Sequence, residues 1–484
     1  MKTKLTILSA LSITIIVSGQ TISLHPINHH YLTYKGSPVL LITSAEHYGS
    51  VLNKDFDYIT YLSTLKSEGM NYTRIFTGSY VEIPGSFGIL NNSLAPAVGS
   101  FLAPWKRVDE PGLYKAEKKF DLDQWEPSYF ERLHSFILEA SKRDIIVEVS
   151  LFCATYQDEY WERNPFNPGN NINGFPNIDR KKSNTSLNGP LSGFQKALVR
   201  KIVTELNRYD NVFYEIQNEP WADDPQKAMR LLKTNDPGKQ NWANWAETAS
   251  GASLKWQKEI AEIIKETENK LPKKHLIAQN YTNFKYSLEA IDQNISILNF
   301  HYAWPEAVWM NYGWNRPISF DESGFAGSSD TTYLRQAWQF MFSGGAIFNS
   351  LDYSFYTGAE TGKGQNKAPG GGSANLRKQL TFMYSFLTSF DYIRMKPDFD
   401  VVFHSPGLEW QALSEKGKQY AIFFSGKGSD WIKLNLPSGS YRYTFISPYT
   451  GIAISNGIIE SKGAVYRLEL PGFAQMAALK ISTR

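Results

Sequence analysis

The chain has 484 residues, of which 42% are hydrophobic and 20% are charged, and its formal net charge is +3. This length suits about two domains, and this composition supports a sizeable core and argues against extensive disorder. The small net charge and the lack of any dense lysine and arginine block give no support for a nucleic-acid partner, and we expect none.

The first residues predict export. Lys2 and Lys4 precede an apolar run over residues 5–17, and residues 17–19 are small enough for cleavage near that point. The alternative is a membrane anchor, but the run is short for a bilayer span. We therefore expect residues 1–19 to be a signal peptide of a bacterial protein that works in the periplasm or outside the cell, with no stable membrane insertion after cleavage.

The chain contains a single cysteine, Cys153, which excludes an intrachain disulfide. This cysteine ends an apolar run over residues 147–153. The sequence therefore predicts a small buried hydrophobic side chain at this position.

Short apolar runs recur along most of the chain and predict strands. A hairpin over residues 31–34 and 39–41 comes first. The later runs lack strict alternation of polar and apolar residues, as expected for strands buried on both faces of a sheet. The predicted strands cover residues 39–43, 72–77, 145–152, 212–217, 276–279, 295–300, 318–321 and 346–351.

Helical patterns separate these strands. They cover residues 57–68, 129–142, 194–206 and 253–271, then shorter segments, then residues 331–342 and 375–390. Eight strands alternating with helices predict an α/β protein in which residues 20–395 form a (β/α)8 TIM barrel. A doubly wound open sheet is the alternative, but it normally has a glycine-rich phosphate loop after its first strand, and this sequence has none there.

Four connections that follow predicted strands are long. They cover residues 78–121, 153–189, 221–251 and 356–372. Long loops in a compact domain are usually functional, and loops that follow barrel strands lie on the face where barrel enzymes bind substrate. We therefore expect the functional site on that face.

The pattern changes after residue 395. Short apolar stretches separated by turns predict a small antiparallel β-sandwich over residues 396–484. No serine- or proline-rich linker precedes it, so we expect it to pack directly on the barrel. Its predicted strands cover residues 408–413, 419–424, 431–436, 440–445, 452–454, 464–470 and 476–481.

Two glutamates follow predicted barrel strands. Asn218-Glu219-Pro220 comes directly after the fourth strand, and Asp321-Glu322-Ser323-Gly324 closes the seventh. With these motifs the sequence resembles the large clan of retaining (β/α)8 glycoside hydrolases that includes the cellulase-like glycoside hydrolase family 5. Retaining enzymes need two carboxyl groups about 5–5.5 Å apart, and a barrel brings its strand ends together in this way.

The resemblance implies roles for these residues. Glu219 would be the acid/base, Asn218 would bind the 2-hydroxyl of the sugar, and Glu322 would be the nucleophile. Asp321 is the alternative nucleophile, and because neighbouring strand residues point to opposite faces we expect only one of the two to enter the barrel mouth. A loop glutamate before a chain-redirecting proline is the alternative interpretation of Glu219.

The resemblance also implies substrate-binding residues. Arg74 would keep the nucleophile ionised and oriented, and the hydroxyl of Tyr302 would hydrogen-bond it; His301 lies beside Tyr302 at the end of strand six. Arg74 in a structural ion pair and His301 as a structural residue are the alternatives. Other side chains placed to stack on sugar rings or to bind hydroxyl groups are Trp221, Trp304, Glu46, His47 and Tyr353.

The sequence departs from family 5 at several positions. Strand three has no histidine, His301 and Tyr302 are adjacent where the family spaces them by two, and strand eight has no tryptophan. Membership of the clan is therefore a better supported prediction than membership of family 5.

The predicted function is cleavage of a poly- or oligosaccharide by a retaining double displacement, with no cofactor and no metal. A non-catalytic carbohydrate-binding protein on a degenerate barrel is one alternative. A metal-dependent hydrolase is another, but the 8 histidines include no His-x-His pair. The sugar, the linkage and the choice between endo and exo cleavage stay open at this point.

Overall fold

The computed structural model describes residues 21–231, 242–428 and 430–484. The predicted signal peptide lies outside these residues. Within the described ranges, no helix combines the length and the apolar character needed to cross a bilayer.

Strands in the first part of the chain form the central sheet and three small additions to it. In chain order they are β1 (Ser23–Leu24), β2 (Leu32–Tyr34), β3 (Ser37–Val39), β4 (Leu41–Ala45), β5 (Tyr72–Phe76), β6 (Trp105–Pro111), β7 (Lys118–Trp125), β8 (Ile146–Cys153), β9 (Val212–Asn218), β10 (Gln226–Arg230), β11 (Trp245–Thr248), β12 (Ile277–Asn283), β13 (Ile297–His301), β14 (Ile318–Glu322) and β15 (Ile347–Leu351). The helices are α1 (Tyr58–Ser67), α2 (Pro127–Lys142), α3 (Asp158–Trp161), α4 (Leu191–Leu206), α5 (Gly251–Glu268), α6 (Pro305–Asn311), α7 (Asp330–Phe342) and α8 (Ala374–Thr388).

The central sheet is a parallel barrel, which confirms the predicted fold class. Its strand order is β4-β15-β14-β13-β12-β9-β8-β5. Asn71 joins the two ends, because its side chain accepts from the Ile42 amide (2.9 Å) and donates to the Leu40 carbonyl (2.8 Å). Every residue of these eight strands is buried, which explains why they appear in the sequence as continuous apolar runs.

Helices surround the barrel between successive strands, with one exception. Residues 284–296, which join β12 to β13, contain no helix. Of the shorter helical segments predicted between residues 271 and 331, the structure has one α-helix, α6, which follows β13. The main helices match their periodicity. In α2, Tyr129, Leu133 and Phe136 are buried on one face, and the Glu126 side chain caps the first turn by accepting from the Ser128 amide at 3.1 Å.

The long connections contain secondary structure that the sequence analysis did not assign. The hairpin β6–β7 follows β5, and the hairpin β10–β11 follows β9 and extends the sheet through β12. Strands β6 and β10 are largely exposed, so each hairpin satisfies its own backbone groups by pairing over the surface of the barrel.

The C-terminal strands form two antiparallel sheets, as predicted. They are β16 (Lys396–Pro397), β17 (Val402–His404), β18 (Leu408–Glu415), β19 (Gln419–Gly426), β20 (Trp431–Asn435), β21 (Gly439–Ile446), β22 (Ala453–Ser461), β23 (Val465–Glu469) and β24 (Met476–Thr483). The orders are β16-β18-β19-β24-β21-β22 and β17-β20-β23. Strand β22 runs past its predicted end, through a Ser-Asn-Gly segment that resembles a turn, because it pairs with β21 along its whole length.

The larger of these two sheets packs directly on the barrel. In β19, Ile422 and Phe424 point into the sandwich core, whereas Phe423 points the other way and stacks on Trp338 of α7 at a ring distance of 5.5 Å. Strand β19 is therefore buried on both faces, and Trp338, which has no exposed surface, joins the two cores.

Candidate active site

A cavity of about 370 Å³ opens at the carboxyl ends of the barrel strands. Its volume is in the range of small-molecule sites, and its walls are mostly apolar with a few converging polar groups. It is lined by His47, Tyr48, Phe76, Glu82, Phe87, Leu94, Cys153, Tyr156, Asn218, Glu219, Trp221, Ala222, Pro225, Glu247, Tyr302, Glu322 and Phe325.

Glu219 lies at the end of β9 with its carboxylate held from two sides. One oxygen is 2.8 Å from Nδ1 of His301, and the other accepts from the Tyr156 hydroxyl at 2.9 Å. The Glu219 amide donates to Oδ1 of Asn280 at 3.0 Å. These contacts fix the carboxylate so that it faces the cavity.

Glu322 lies opposite Glu219. An oxygen of each carboxylate lies within 4.8 Å of the other, as part of one cluster that includes His301. Tyr302 donates its hydroxyl to Glu322 at 3.0 Å, and Nη1 of the buried Arg74 is 3.5 Å from the second oxygen. Burial raises the pKa of Glu322 and the Glu219 charge adds to this rise, while His301 and Arg74 oppose it.

His301 is a buried cation between three carboxylates. Burial alone would lower the pKa of its imidazole, but the charges of Glu322 and Asp321 outweigh burial and raise that pKa well above its ordinary value. Its Nε2 lies 3.5 Å from Asp321, on the side away from Glu219. His301 therefore offsets negative charge at the site and orients Glu219.

Only Glu322 of the two candidate nucleophiles lines the cavity, as expected, but the two side chains do not separate onto opposite faces of the strand, which was the reason for that expectation. Phe300 pairs with Phe320 but His301 pairs with Glu322, so β14 contains an irregularity at Asp321. A bulge of this kind re-aims side chains locally. Both carboxylates therefore point inward, but only Glu322 lines the cavity, while Asp321 lies deeper in the barrel.

A buried acidic cluster lies below the cavity. The amide nitrogen of Asn299 is 2.7–3.1 Å from one oxygen each of Glu148, Glu215 and Asp321. Arg74 makes a close ion pair with Glu215 and lies 3.5 Å from Asp321. Burial, together with the neighbouring Glu215 charge, raises the pKa of Glu148 to about 8, and burial also raises the pKa of Glu215.

Substitution Glu148→Gln is expected to stabilise the protein increasingly as the pH rises. The folded protein keeps the Glu148 proton up to about pH 8, whereas the unfolded chain loses it near the ordinary value of 4.5, so this group lowers the free energy of unfolding between these pH values. A glutamine imitates the protonated acid towards Tyr72 and Asn299. We expect a gain on the order of 4 kcal/mol at pH 8 and less than about 1 kcal/mol at pH 5, measured by urea unfolding.

The control for this prediction is Glu262→Gln, at an exposed position of α5. The difference in free energy of unfolding between this variant and wild type should be the same at pH 5 and at pH 8. A Glu148→Gln protein whose stability relative to wild type does not change between pH 5 and pH 8 would contradict the prediction.

Three residues that line the cavity have strained backbones. Tyr48, Glu219 and Tyr302 adopt left-handed conformations, with φ of 63°, 46° and 51°. This region costs non-glycine residues roughly 1–2 kcal/mol each. The Tyr302 amide donates to the Glu322 carbonyl at 2.9 Å, so the strain is held by contacts within the site.

The remaining predicted residues divide between the cavity and its surroundings. Asn218, His47 and Trp221 line the cavity. Other predicted residues lie outside its lining. Glu46 is fully buried and accepts from the Gly49 and Ser50 amides, and burial raises its pKa. Trp304 packs against Phe284, with Lys285 over its ring, and Tyr353 is buried beside His47.

Several residues of the site were not identified from the sequence. Tyr156 donates to Glu219 and accepts from Asn218, and Asn280 holds the Glu219 backbone. Asn280 was missed because the predicted strand ended at residue 279, whereas β12 continues to Asn283. Glu82 and Glu247 lie in long connections whose sequences show no helical or strand periodicity. The one available signal is that both connections directly follow barrel strands, which places them on this face.

Comparisons with known proteins bear on the fold. No family model and no curated protein matches the sequence. A putative glycoside hydrolase from Bacteroides vulgatus is similar in structure, with a TM-score of 0.65 and 12% identity over 96% of this chain and 83% of that chain. A glycoside hydrolase family 5 protein from the same organism has a TM-score of 0.61 and 12% identity over 96% and 93%.

A third structure, named a glycoside hydrolase, has a TM-score of 0.57 and 11% identity over 96% of this chain and 97% of that chain. At these identities the similarity shows a shared fold, and it extends over both the barrel and the C-terminal sheets. The predicted resemblance to the family 5 architecture is confirmed at the level of fold.

Proposed function

We propose that this protein is a retaining glycoside hydrolase that acts on a poly- or oligosaccharide. The observation that supports this most is the pair Glu219 and Glu322, whose carboxylate oxygens lie within 4.8 Å of each other in the cavity. Retaining enzymes place two carboxyl groups about 5–5.5 Å apart, whereas inverting enzymes leave room for a water at about 6.5–9.5 Å.

In the proposed mechanism, Glu322 attacks the anomeric carbon while Glu219 gives its proton to the glycosidic oxygen, so the leaving group departs as an alcohol. A covalent glycosyl–Glu322 ester forms. Glu219 then takes a proton from a water that attacks the same carbon, and Glu322 is released. Tyr302 and Arg74 orient Glu322, and His301 and Tyr156 orient Glu219.

The neighbours of Glu322 favour this assignment. Its oxygens lie 3.5 Å from Nη1 of Arg74 and 3.7 Å from Nδ1 of His301, and these positive charges favour the ionised form that a nucleophile needs. Asn218, between Arg74 and Tyr156, is placed to bind the sugar 2-hydroxyl.

The direct test uses wild type, Glu219→Gln and Glu322→Gln with a panel of plant and microbial polysaccharides and aryl glycosides, followed by mass spectrometry of the products. We expect wild type to release sugars and both variants to lose nearly all activity on the polysaccharides. If no substrate is cut but one still binds, the protein is a carbohydrate-binding protein on a degenerate barrel, which is the second candidate function.

The acidic limb of the activity profile is expected to move in His301→Asn. Glu322 must be ionised to attack, and the His301 charge favours its ionised form, so removal of that charge raises the pKa of Glu322. The acidic limb of kcat/KM should therefore shift to higher pH, on the order of one unit. A limb that stays in place or moves to lower pH would show that His301 does not act on Glu322.

Metal dependence is not expected. Two groups of side chains bring possible ligand atoms within 4.8 Å of one another, Glu215–His301–Asp321 and Glu219–His301–Glu322. Oxygens of Glu215, Glu322 and Glu219 are already engaged by Arg74, Tyr302 and Tyr156, respectively. Dialysis against EDTA should leave activity within about twofold of the untreated enzyme. Loss of activity that a divalent ion restores would favour the metal-dependent alternative.

We further propose that the protein is exported by a bacterium and works in the periplasm or outside the cell. The basic and apolar character of residues 1–19 supports this. N-terminal sequencing of the protein from an export-competent host should find a start close to residue 20, and an intact first residue would contradict it.

A further inference from the structure

The position of the acid/base sets the direction of the substrate, if the proposed function is right. The leaving group must lie on the side of Glu219, which belongs to β9. That side is bordered by Trp221 and Glu247 from the connection after β9. The sugar that Glu322 attacks, and anything attached to its non-reducing end, must point away from β9, towards His47, Glu82 and Leu94.

This far side is closed by residues 79–94, which we call the strap. The strap follows β5 and is tied to the connection after β15, because the Leu90 amide donates to the Lys367 carbonyl at 2.9 Å. The Asn366 side chain also donates to the Asn91 carbonyl at 2.7 Å and accepts from the Asn91 backbone amide at 3.0 Å. It is also packed against the loop after β4. A Cβ on Gly49 would lie 2.2 Å from the Ser93 backbone, so these two loops touch.

The strap also covers the mouth from above. Phe87 adopts a left-handed conformation (φ 54°) that directs its ring over the cavity. The ring contacts Tyr156 at 5.0 Å and Phe325 at 6.1 Å, which belong to the connections after β8 and β14. The strap therefore joins both sides of the cavity at this end and separates it from a second depression on the outer side of the strap, which Pro84, Leu90 and Asn91 help to line.

The closed end carries a buried acid and an imidazole. Glu82 is 2% exposed and accepts from the Tyr80 hydroxyl (3.1 Å), from the Asn92 amide and from Nε2 of His47 at 3.3 Å. Nδ1 of His47 is buried with no protein partner among the described residues. A carboxylate and an imidazole that line the same cavity suit the hydroxyl groups of a terminal sugar, because together they accept and donate hydrogen bonds. Burial lowers the pKa of His47, but the charges of Glu82 and Glu322 outweigh burial and raise that pKa, and this one cation between two carboxylates leaves a net negative charge that disfavours a sugar acid.

We propose that the enzyme is exo-acting and removes one uncharged sugar at a time from the non-reducing end, with Glu82 and His47 binding the hydroxyls of that terminal sugar. The inference rests on the proposed function. It adds the direction in which the substrate chain lies in the cavity, the number of sugars on the non-reducing side of the cleaved bond and the charge of the terminal sugar. The proposal makes Glu82 a specificity residue that takes no part in bond cleavage.

The first test uses short β-1,4-linked gluco-, manno- and xylo-oligosaccharides labelled at the reducing end, with and without a bulky acetal on the terminal non-reducing hydroxyls, and aryl glycosides of the same sugars. We expect labelled chains to shorten by one unit, free monosaccharide as the unlabelled product, and no cleavage of capped chains. Early internal cleavage, or equal rates on capped chains, would overturn exo action while leaving hydrolysis intact. Absence of hydrolysis both here and across the broader panel of polysaccharides and aryl glycosides would overturn the proposed function, and this inference with it.

The second test compares the best aryl glycoside with the matching aryl uronide. Wild type should favour the neutral sugar by at least about tenfold in kcat/KM. Glu82→Gln should raise KM for the neutral sugar and narrow that ratio. Glu247→Gln, a carboxyl group at the leaving-group end of the same cavity, should leave the ratio unchanged. A folded Glu82→Gln protein with unchanged KM and unchanged ratio would overturn the role of Glu82.

Discussion

Glu322→Gln is expected to lower kcat by at least about 10³-fold on every substrate, because no bond to the anomeric carbon forms without this nucleophile. The amide keeps the size of the side chain and its contact with Tyr302, so the fold and substrate binding should survive. Glu262→Gln on the exposed face of α5 is the matched control and should leave activity unaltered. The comparison is made with one purified preparation of each variant and an aryl glycoside.

Chemical rescue separates Glu322 from Asp321. In Glu322→Ala the space left by the carboxylate admits azide, which attacks the anomeric carbon from the nucleophile's side and gives a glycosyl azide of inverted configuration. Asp321 lies deeper, bonded to Arg74 and Asn299, so Asp321→Ala should show no azide product. Rescue of Asp321→Ala, with Glu322→Ala inert, would make Asp321 the nucleophile.

Glu219→Gln is expected to lose activity according to the leaving group. General acid catalysis contributes about 10²–10⁴-fold, and a phenol that is a good leaving group departs without a proton. The first step should therefore be nearly normal with dinitrophenyl glycosides and strongly slowed with sugars or simple phenols as leaving groups. With dinitrophenyl glycosides, the glycosyl–Glu322 ester should form quickly and be hydrolysed slowly, which should produce an initial burst of dinitrophenol.

Azide provides the matching control for this second variant. It needs no general base, so it should accelerate turnover of Glu219→Gln and give a glycosyl azide of retained configuration. An equal loss of rate on all leaving groups, with no burst, would show that Glu219 is not the acid/base.

Residues on barrel strands were predictable because strand ends are fixed by local sequence. Glu219 and Glu322 each follow a short apolar run, and parallel strands in a barrel end on one face. Their meeting follows from topology, although they are 103 residues apart in the sequence (322 − 219). Arg74, His301 and Tyr302 also lie at strand ends, but the resemblance to the glycoside hydrolase clan is what assigned them to the site, and their hydrogen bonds are consistent with it.

Residues in loops were not predictable in the same way. The strap lies over the cavity because of contacts with residues far along the chain, such as the Leu90–Lys367 bond (367 − 90 = 277 positions), and no periodic pattern in the sequence encodes these contacts. The same limit explains why Glu46 and Trp304 lie outside the cavity lining, although the sequence placed them at the barrel mouth. Both follow strands as predicted, but Glu46 turns to cap its own loop and Trp304 packs on Phe284.

The buried acidic cluster was also missed, for a different reason. Glu148 and Glu215 stand inside predicted strands, where their polarity is compatible with an apolar run only if partners are present. Those partners, Arg74 and Asn299, come from other strands. A carboxylate in the middle of a strand that is otherwise apolar was the available signal, and it indicates an interior ion pair.

The stereochemistry of the first product tests the central claim most directly. Proton NMR of the reaction mixture, recorded before the anomers equilibrate, shows whether the released sugar has the configuration of the substrate. The arrangement of Glu219 and Glu322 predicts retention. A product of inverted configuration would contradict the double displacement through Glu322, even if both glutamates prove essential.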